Sequence, residues 1–267
     1  MTKSPLPEYE VFALKYAHLD RTRNQNFIAH DPHDGPMPMD YFVWVIKGQD
    51  RAWLIDTGFG EAAASTRNRH LERCPIGALS VLGMKGDEVT DVVITHLHYD
   101  HAGNLPLVPN AKIHIQEAEM HYATGHYMCY PFIRYAYSVE DVTEMVKNVY
   151  RDRVIFHQGD AELAPGLQLI HVGGHTNGLQ SVRVHTKRGW VVVASDASHY
   201  YENIGTESPF PIVFNLGDML DGYQKLLGLA DSPQHLVPGH DPLVRERYPA
   251  HGKPEDQCWA LHEPPTA

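Results

Sequence analysis

The stretch Val92–Asn104, VVITHLHYDHAGN, constrains this chain more than any other. Val92-Val93-Ile94 is a β-branched apolar run of the kind that makes a buried strand. Its character changes at Thr95, and His96, His98, Asp100 and His101 follow within six residues. A strand that ends this way delivers imidazoles and carboxylates from a rigid element to a sheet edge. His96 and His98 are two apart, so on an extended chain both point to the same side. Asp100 and His101 fall on the turn, aimed at a second point nearby. Neutral imidazole and carboxylate are the ligand set of Zn²⁺ and similar borderline metals. With 19 His in the chain, a solvated cluster is the bland alternative, but the compression of four such groups onto one strand end favours a metal centre.

Three further strand ends carry matching groups. Leu167–Val172 reads as a strand running into Gly173-Gly174-His175-Thr176-Asn177-Gly178, where a Gly-rich turn lets backbone approach a ligand closely. Ser181–His185 and Trp190–Ala194 read as a hairpin turning at Lys187-Arg188-Gly189 and ending at Asp196. Leu236-Val237 runs into Pro238-Gly239-His240-Asp241-Pro242. His96, His98 and His175 thus make one set, and Asp100, His101 and His240 a second, with Asp196 able to bridge. Three protein ligands per set leave room for water, the pattern of a catalytic site. Two metals a few Å apart can share one hydroxide and make it a nucleophile at neutral pH. No Gly-x-Ser-x-Gly elbow offers a serine instead. His114 and His171 lie inside strands and read as face residues. His30, Asp31, His33 and Asp34 sit on the Pro-rich segment Arg21–Met39, a long loop with nothing to fix their geometry.

His96-Leu97-His98-Tyr99-Asp100-His101 resembles the metal-binding motif of the metallo-β-lactamase-fold hydrolases, and THLHYDHAGN is especially similar to the N-acyl-homoserine lactonase branch. Asp56-Thr57-Gly58 at the end of the hairpin Tyr41–Ile46/Ala52–Ile55, the Gly174-His175-Thr176-Asn177-Gly178 turn and Asp196-Ala197-Ser198 extend the likeness over roughly residues 40–245. The resemblance implies an α/β fold of the metallo-β-lactamase-like αββα type, two central mixed β-sheets flanked by helices. It implies two Zn²⁺, with Mn, Fe or Co as other divalent choices, held by His96, His98, Asp100, His101, His175, Asp196 and His240. Asp56 would orient the His loop without touching metal. The implied activity is opening of a lactone ring, an N-acyl-homoserine lactone or similar small lactone, by a metal-bridging hydroxide. The alternative is another cyclic ester, an amide or a thioester on the same dinuclear site. A diiron redox protein of this fold would need a flavin partner, for which the length leaves no domain, and a non-catalytic metal protein is the remaining class. One departure matters. Known homoserine lactonases carry a Tyr three residues after the bridging Asp, and here that position is His199, followed by Tyr200 and Tyr201. Asp100 and His199 are therefore the candidate catalytic side chains, His199 as a hydrogen-bond donor to the substrate carbonyl or leaving group.

The remaining segments fit one domain over residues 1–267. Tyr9–Tyr16 and Val154–Phe156 read as strands, Glu61–Arg73 as a helix stopped by Pro75, and Leu79–Met84 as a short apolar segment ahead of the His strand. After the strand Ala111–Gln116, residues 117–150 form a helical, aromatic insertion: helices Glu117–His126 and Glu140–Tyr150 flank Tyr127, Met128, Tyr130, Pro131, Phe132, Tyr135 and Tyr137. Tyr99, Met128, Phe132, Tyr135 and Tyr200 are the candidate pocket residues. Gly159–Glu162 reads as a turn, Met219–Ala230 as an amphipathic helix, and 248–267 as a surface tail. The 33 acids against 22 bases, a net charge of −11, argue against nucleic acid or an anionic membrane as partner. A small-molecule lactone is the expected partner, and a homodimer is left open. No run has the length of a membrane span, the N-terminus lacks a signal-peptide core, and Cys74, Cys129 and Cys258 read as free thiols. Together these lead to the expectation of a cytoplasmic protein.

Overall fold

In the computed structural model, which describes residues 5–48 and 50–266, two mixed sheets lie face to face with helices outside. The strands are β1 (Glu10–Leu19), β2 (Met39–Lys47), β3 (Ala52–Ile55), β4 (His70–Leu71), β5 (Asp91–Val93), β6 (Lys112–Gln116), β7 (Val154–His157), β8 (Ala161–Ala164), β9 (Leu167–His171), β10 (Gln180–Thr186), β11 (Gly189–Ser195), β12 (Leu236–Pro238) and β13 (Cys258–Ala260). The helices are α1 (Glu61–Arg67), α2 (Tyr99–Ala102), α3 (Glu117–Thr124), α4 (Pro131–Arg134), α5 (Val139–Tyr150), α6 (Tyr201–Gly205), α7 (Leu216–Leu229) and α8 (Leu243–Arg247). The first sheet runs β13-β1-β2-β3-β5-β6-β7, with β4 on β1, and the second runs β12-β11-β10-β9-β8.

Alternation along the strands sorts the core into layers. On β1 and β2, Val11, Ala13, Phe42, Trp44 and Ile46 face the second sheet and meet Val182, Val184, Val191 and Val193. Their neighbours Phe12, Leu14, Tyr41, Val43 and Val45 face the other way, onto the helical side with Phe59, Leu79 and Met145. Strands buried on both faces read as unbroken apolar runs, which is why YFVWVI shows no polar alternation. A third cluster, Ile170, Val192, Ala194 and Leu236, packs the outer face of the second sheet against Leu226 of α7. The result is the expected αββα sandwich.

Three segments differ from the sequence reading. The helix expected to reach Arg73 stops at Arg67, where Asn68 takes a left-handed conformation (φ 53°), and His70–Leu71 then pairs with β1. Asn tolerates that conformation better than most residues, so the stop precedes Pro75. The turn expected at Gly159–Glu162 is shorter, because Ala161 already pairs with Leu169. Residues 248–267 are not only a surface tail: Cys258–Ala260 pairs with Phe12–Leu14 and covers the sheet edge, and Leu261 is fully buried. The sheet also begins well before residue 40, with β1 paired between β2 and the edge strand β13.

Both sheets end at one edge. Asp56 follows β3, Thr95 follows β5, His171 closes β9 ahead of the His175 turn, Asp196 follows β11 and His240 follows β12. Asp56 and Ser195 hold positive φ (61° and 49°) at two of these ends. Non-glycine residues rarely adopt that region, and such strain gathers where the fold aims side chains at a site.

Candidate metal centre and active site

Ring nitrogens of His96, His98 and His175 converge with an oxygen of Asp196, and side-chain atoms of Asp100, His101 and His240 form an adjoining group. In each group the potential ligand atoms all lie within 4.8 Å of one another. His98 Nδ1 stands 3.0 Å from His96 Nε2 and 3.0 Å from His175 Nε2. Nitrogens about 2.0–2.1 Å from a shared tetrahedral Zn²⁺ would stand roughly 3.3 Å apart, so the spacing fits one ion. Asp196 faces both groups. Its Oδ1 is 2.9 Å from His240 Nε2 and 3.3 Å from His101 Nε2. Its Oδ2 is 3.2 Å from His175 Nε2, 3.6 Å from His96 Nε2 and 3.1 Å from His199 Nε2. One buried carboxylate thus stands between the two groups, among five imidazoles.

The other ring nitrogens are held from outside. Asp56 Oδ2 lies 2.7 Å from His101 Nδ1, while Asp56 Oδ1 accepts the Thr95 amide at 2.7 Å. His175 Nδ1 lies 2.7 Å from the Ile212 carbonyl and His240 Nδ1 2.9 Å from the Asp40 carbonyl. A carbonyl can only accept, so Nδ1 of His175 and His240 carries hydrogen and turns Nε2 inward. Thr95 Oγ1 also reaches Ser195 Oγ at 2.9 Å and so joins the two sheets beside the centre.

The electrostatics suit a cation. Burial, then the neighbouring imidazoles, push His96 and His98 well below the ordinary histidine range, which leaves both neutral and able to act as ligands. Burial raises Asp196, but His199, His101 and His240 outweigh it and hold the carboxyl well below the usual range. Burial works against charge on His101, and Asp196, Asp56 and Asp100 overcome it. Among the described residues, His101 Nε2 is buried without an aligned hydrogen-bond partner. An unpartnered buried nitrogen among inward-facing ring nitrogens and carboxylates is what a divalent ion would satisfy, and the donor set fits one.

Glu119 is a residue that the sequence did not single out. It is fully buried on α3, and its carboxylate accepts from Leu97 N (2.9 Å), Tyr137 Oη (3.0 Å), Thr176 Oγ1 (2.6 Å) and Gly178 N (3.1 Å). Burial pushes its pKa up against the hydrogen bonds that pull it down. It clamps the His96–His101 loop to the His175 turn. In sequence it is one acid among several on a helix, and nothing local marks it.

A cavity of about 620 Å³ opens beside the centre, lined chiefly by apolar groups including Phe132, Tyr135, Phe210 and Ile212, with His98 and His175 at its floor. A recess of about 100 Å³ holds Tyr41, Tyr99, Asp100, Asp196, His199 and His240. Tyr99, Phe132 and Tyr135 therefore line the site region. Met128 and Tyr200 do not, which corrects the expectation for both. Met128 lines a separate cavity beyond Pro131 and Tyr135, together with Val139 and Val142 of α5. Tyr200 is buried in the core, its hydroxyl donating to the Pro38 carbonyl at 3.2 Å. His199 stacks on Phe210, with centroids 3.8 Å apart and planes 4° apart, and among the described residues its Nδ1 has no partner. Burial, opposed by Asp196, lowers it to about 3. His199 also groups with Asp196 and His240 closely enough to contact an ion itself. His114 lies elsewhere, between His157 and Asp91, and His171 Nε2 meets the Asn177 carbonyl, as expected of residues on strand faces. Asp31 pairs with Arg23 and His33 on the loop, away from the centre.

Two layered mixed sheets with His and Asp converging at one edge define a hydrolase of the metallo-β-lactamase type. The sequence profile of the Metallo-beta-lactamase superfamily matches residues 37–242, and the chain belongs to that superfamily. It is similar to an N-acyl homoserine lactonase of a Bacillus species, 29% identical over 189 residues that cover 64% of this chain and 70% of the relative. It is likewise similar to an N-acyl homoserine lactonase of Bacillus cereus, 30% identical over 185 residues, 63% of this chain and 68% of the relative. In fold it matches a solved quorum-quenching N-acyl homoserine lactone lactonase with a TM-score of 0.74 at 23% identity, covering 89% of this chain and 94% of that one. Among the described residues no helix is long and apolar enough to cross a membrane.

Proposed function

We propose that this protein opens the ring of a small lactone, an N-acyl homoserine lactone or a relative of it, on two divalent metal ions, Zn²⁺ in the simplest case. The observation that carries the reading is Asp196, a single buried carboxylate set between two ligand groups with His on both sides. Bound ions would supply Lewis acidity, lowering the pKa of water and polarising the ester carbonyl. His96, His98 and His175 would hold one ion, Asp100, His101 and His240 the other, and Asp196 both.

The residues of the chain do the rest. In hydrolysis the oxygen of water bonds to the acyl carbon, the ring C–O bond breaks, and the leaving alkoxide takes up a proton. Asp56 and Glu119 keep the His-bearing loops in register. His199, neutral and stacked on Phe210, is placed to donate a hydrogen bond to the carbonyl or alkoxide oxygen. Its flat seat on Phe210 limits it to small rotations, which favours positioning over long-range proton transfer. The mainly apolar 620 Å³ cavity excludes water from one side of the ring and accommodates an acyl substituent.

The test is elemental analysis of the purified protein together with a panel of lactones, thioesters and cyclic amides assayed by product chromatography. About two divalent ions per chain and turnover confined to lactones are expected. Turnover of thioesters or amides in preference to lactones would reassign the bond that breaks.

A further inference from the structure

Two arginines stand at the recess with no ion-pair partner among the described residues. Arg21 and Arg69 both line it, beside Tyr41, Tyr99 and Asp100. Both are half-buried. Arg21 donates from Nε to Asn26 Oδ1 at 2.7 Å and from Nη2 to the Gln25 carbonyl. Arg69 donates from Nε to the Tyr99 hydroxyl at 2.9 Å and from Nη1 to the Arg67 carbonyl at 2.6 Å. These bonds hold the two forks in place by neutral acceptors. Among the described residues, Arg21 Nη1 and Arg69 Nη2 donate to nothing, and neither guanidinium pairs with a carboxylate. Arg23, Arg51, Arg151 and Arg245, by contrast, each meet an acid.

The acids lining the recess are Asp100 and Asp196, and both belong to the proposed metal set. Two divalent ions would offset them, so the charges on Arg21 and Arg69 would stay unbalanced. Two fixed guanidinium groups with free N–H donors and no internal counter-charge suit an oxyanion. Arg21 lines the large cavity as well as the recess, so it sits where a substituted ring would pass from one to the other, with Arg69 inside the recess.

We propose that Arg21 and Arg69 form an anion-recognition pair and that the lactone this enzyme selects carries a carboxylate on or next to its ring. The proposal rests on the hydrolase reading above for the bond that breaks, but not for the anion that binds.

The experiment has two arms on the purified, metal-loaded protein. In the first, kcat/KM is measured for γ-butyrolactone and for the same ring bearing a carboxylate. In the second, cyclopentanecarboxylate and cyclopentanecarboxamide, which cannot be hydrolysed as lactones, are titrated by calorimetry. Each arm is run on wild type, Arg21→Gln, Arg69→Gln, the charge-preserving Arg21→Lys and Arg69→Lys, and Arg134→Gln as a control. Arg134 is exposed and lines neither the cavity nor the recess. The wild type should prefer the carboxylated ring, and each Gln variant should cut that preference about 10- to 100-fold, the range for a lost charge-assisted hydrogen bond. The loss should fall mainly in KM. The Lys variants should restore part of it and Arg134→Gln none of the loss. Equal turnover of both rings by the wild type would overturn the anion pair and leave the lactonase reading standing. Carboxylate binding that is insensitive to both Gln variants would place the anion on the metals and overturn it too. If neither lactone reacts while cyclopentanecarboxylate still binds in an arginine-dependent way, the anion pair stands and the lactone reading fails.

Discussion

Glu119 Oε2 accepts the Thr176 hydroxyl at 2.6 Å, and Oε1 of the same carboxylate accepts the Leu97 amide at 2.9 Å. One buried acid on α3 thus fastens the loop of the first sheet that carries His96 and His98 to the turn of the second that carries His175. Partners outside a ligand shell commonly set metal affinity within a factor of 10–100.

Glu119→Ala should therefore bind metal about 10- to 100-fold more weakly than wild type. It should also lose about 3 kcal/mol of stability or more, because several buried donors are left unsatisfied. Metal titration and urea unfolding check the two effects separately. Wild-type affinity and an unchanged midpoint would show that the clamp is not needed.

Ligand deletions should sort by site. Asp100→Ala and His101→Ala are expected to lower metal content toward one ion per chain and kcat by about 10²-fold or more, while Asp196→Ala disturbs both ions. Elemental analysis beside steady-state rates gives the answer. Full metal and full rate in all three would rule out a shared centre.

At His199 the choice is between a donor and a packing residue. His199→Phe keeps the stack on Phe210 and removes the donor, whereas His199→Tyr restores a hydroxyl. A fall of about 10²–10⁴-fold in kcat for Phe, partly regained in Tyr, is expected with metal content retained. Equal activity of the two variants would remove His199 from the mechanism, and loss of an ion in Phe would make it a ligand.

Chelation should weaken the fold as well as abolish turnover. A ligand at 100 times its dissociation constant stabilises by about 2.7 kcal/mol, so Zn²⁺ should raise Tm in proportion to the logarithm of its concentration. Differential scanning calorimetry with and without chelator is the check. A Tm independent of metal would mean that the imidazole cluster stands without an ion.

Glu72 should make stability fall in acid. Its carboxylate meets Lys15, His18 Nδ1 (2.7 Å) and Gln257 Nε2 (2.7 Å), joining β1 to the segment before β13. Burial alone would raise it, but the hydrogen bonds from Lys15, His18 and Gln257 prevail and bring it down to about 2. A carboxyl depressed in the folded state contributes fully above its unfolded pKa of about 4.3, and that contribution is lost as pH falls toward 2. Glu72→Gln should cost roughly 1 kcal/mol at pH 7 after allowance for solvent screening, and the gap should close by about pH 2–3. A gap that stays constant from pH 7 to pH 2 would assign the effect to shape and not charge.

The sequence by itself determined the strands that end in His96, His175, Asp196 and His240, because a β-branched run and the polar residue that breaks it are neighbours in the chain. The layered αββα class was legible only through the likeness of those strand-end motifs to the metallo-β-lactamase fold, since local periodicity marks strands and helices but not their layering. Only the tertiary structure decided which of those ends meet. The contact of Asp196 with His240, and of His98 with His175, depends on two sheets closing over a core of Val, Phe and Trp that no local signal describes. It also decided that Tyr200 goes to the core and Met128 to a neighbouring cavity, since an aromatic or a methionine serves either place and its neighbours in space choose. Glu119, Arg21 and Arg69 became legible for the same physical reason. A charged side chain acquires a role from the burial and the partners that folding gives it, and its residue type alone states neither.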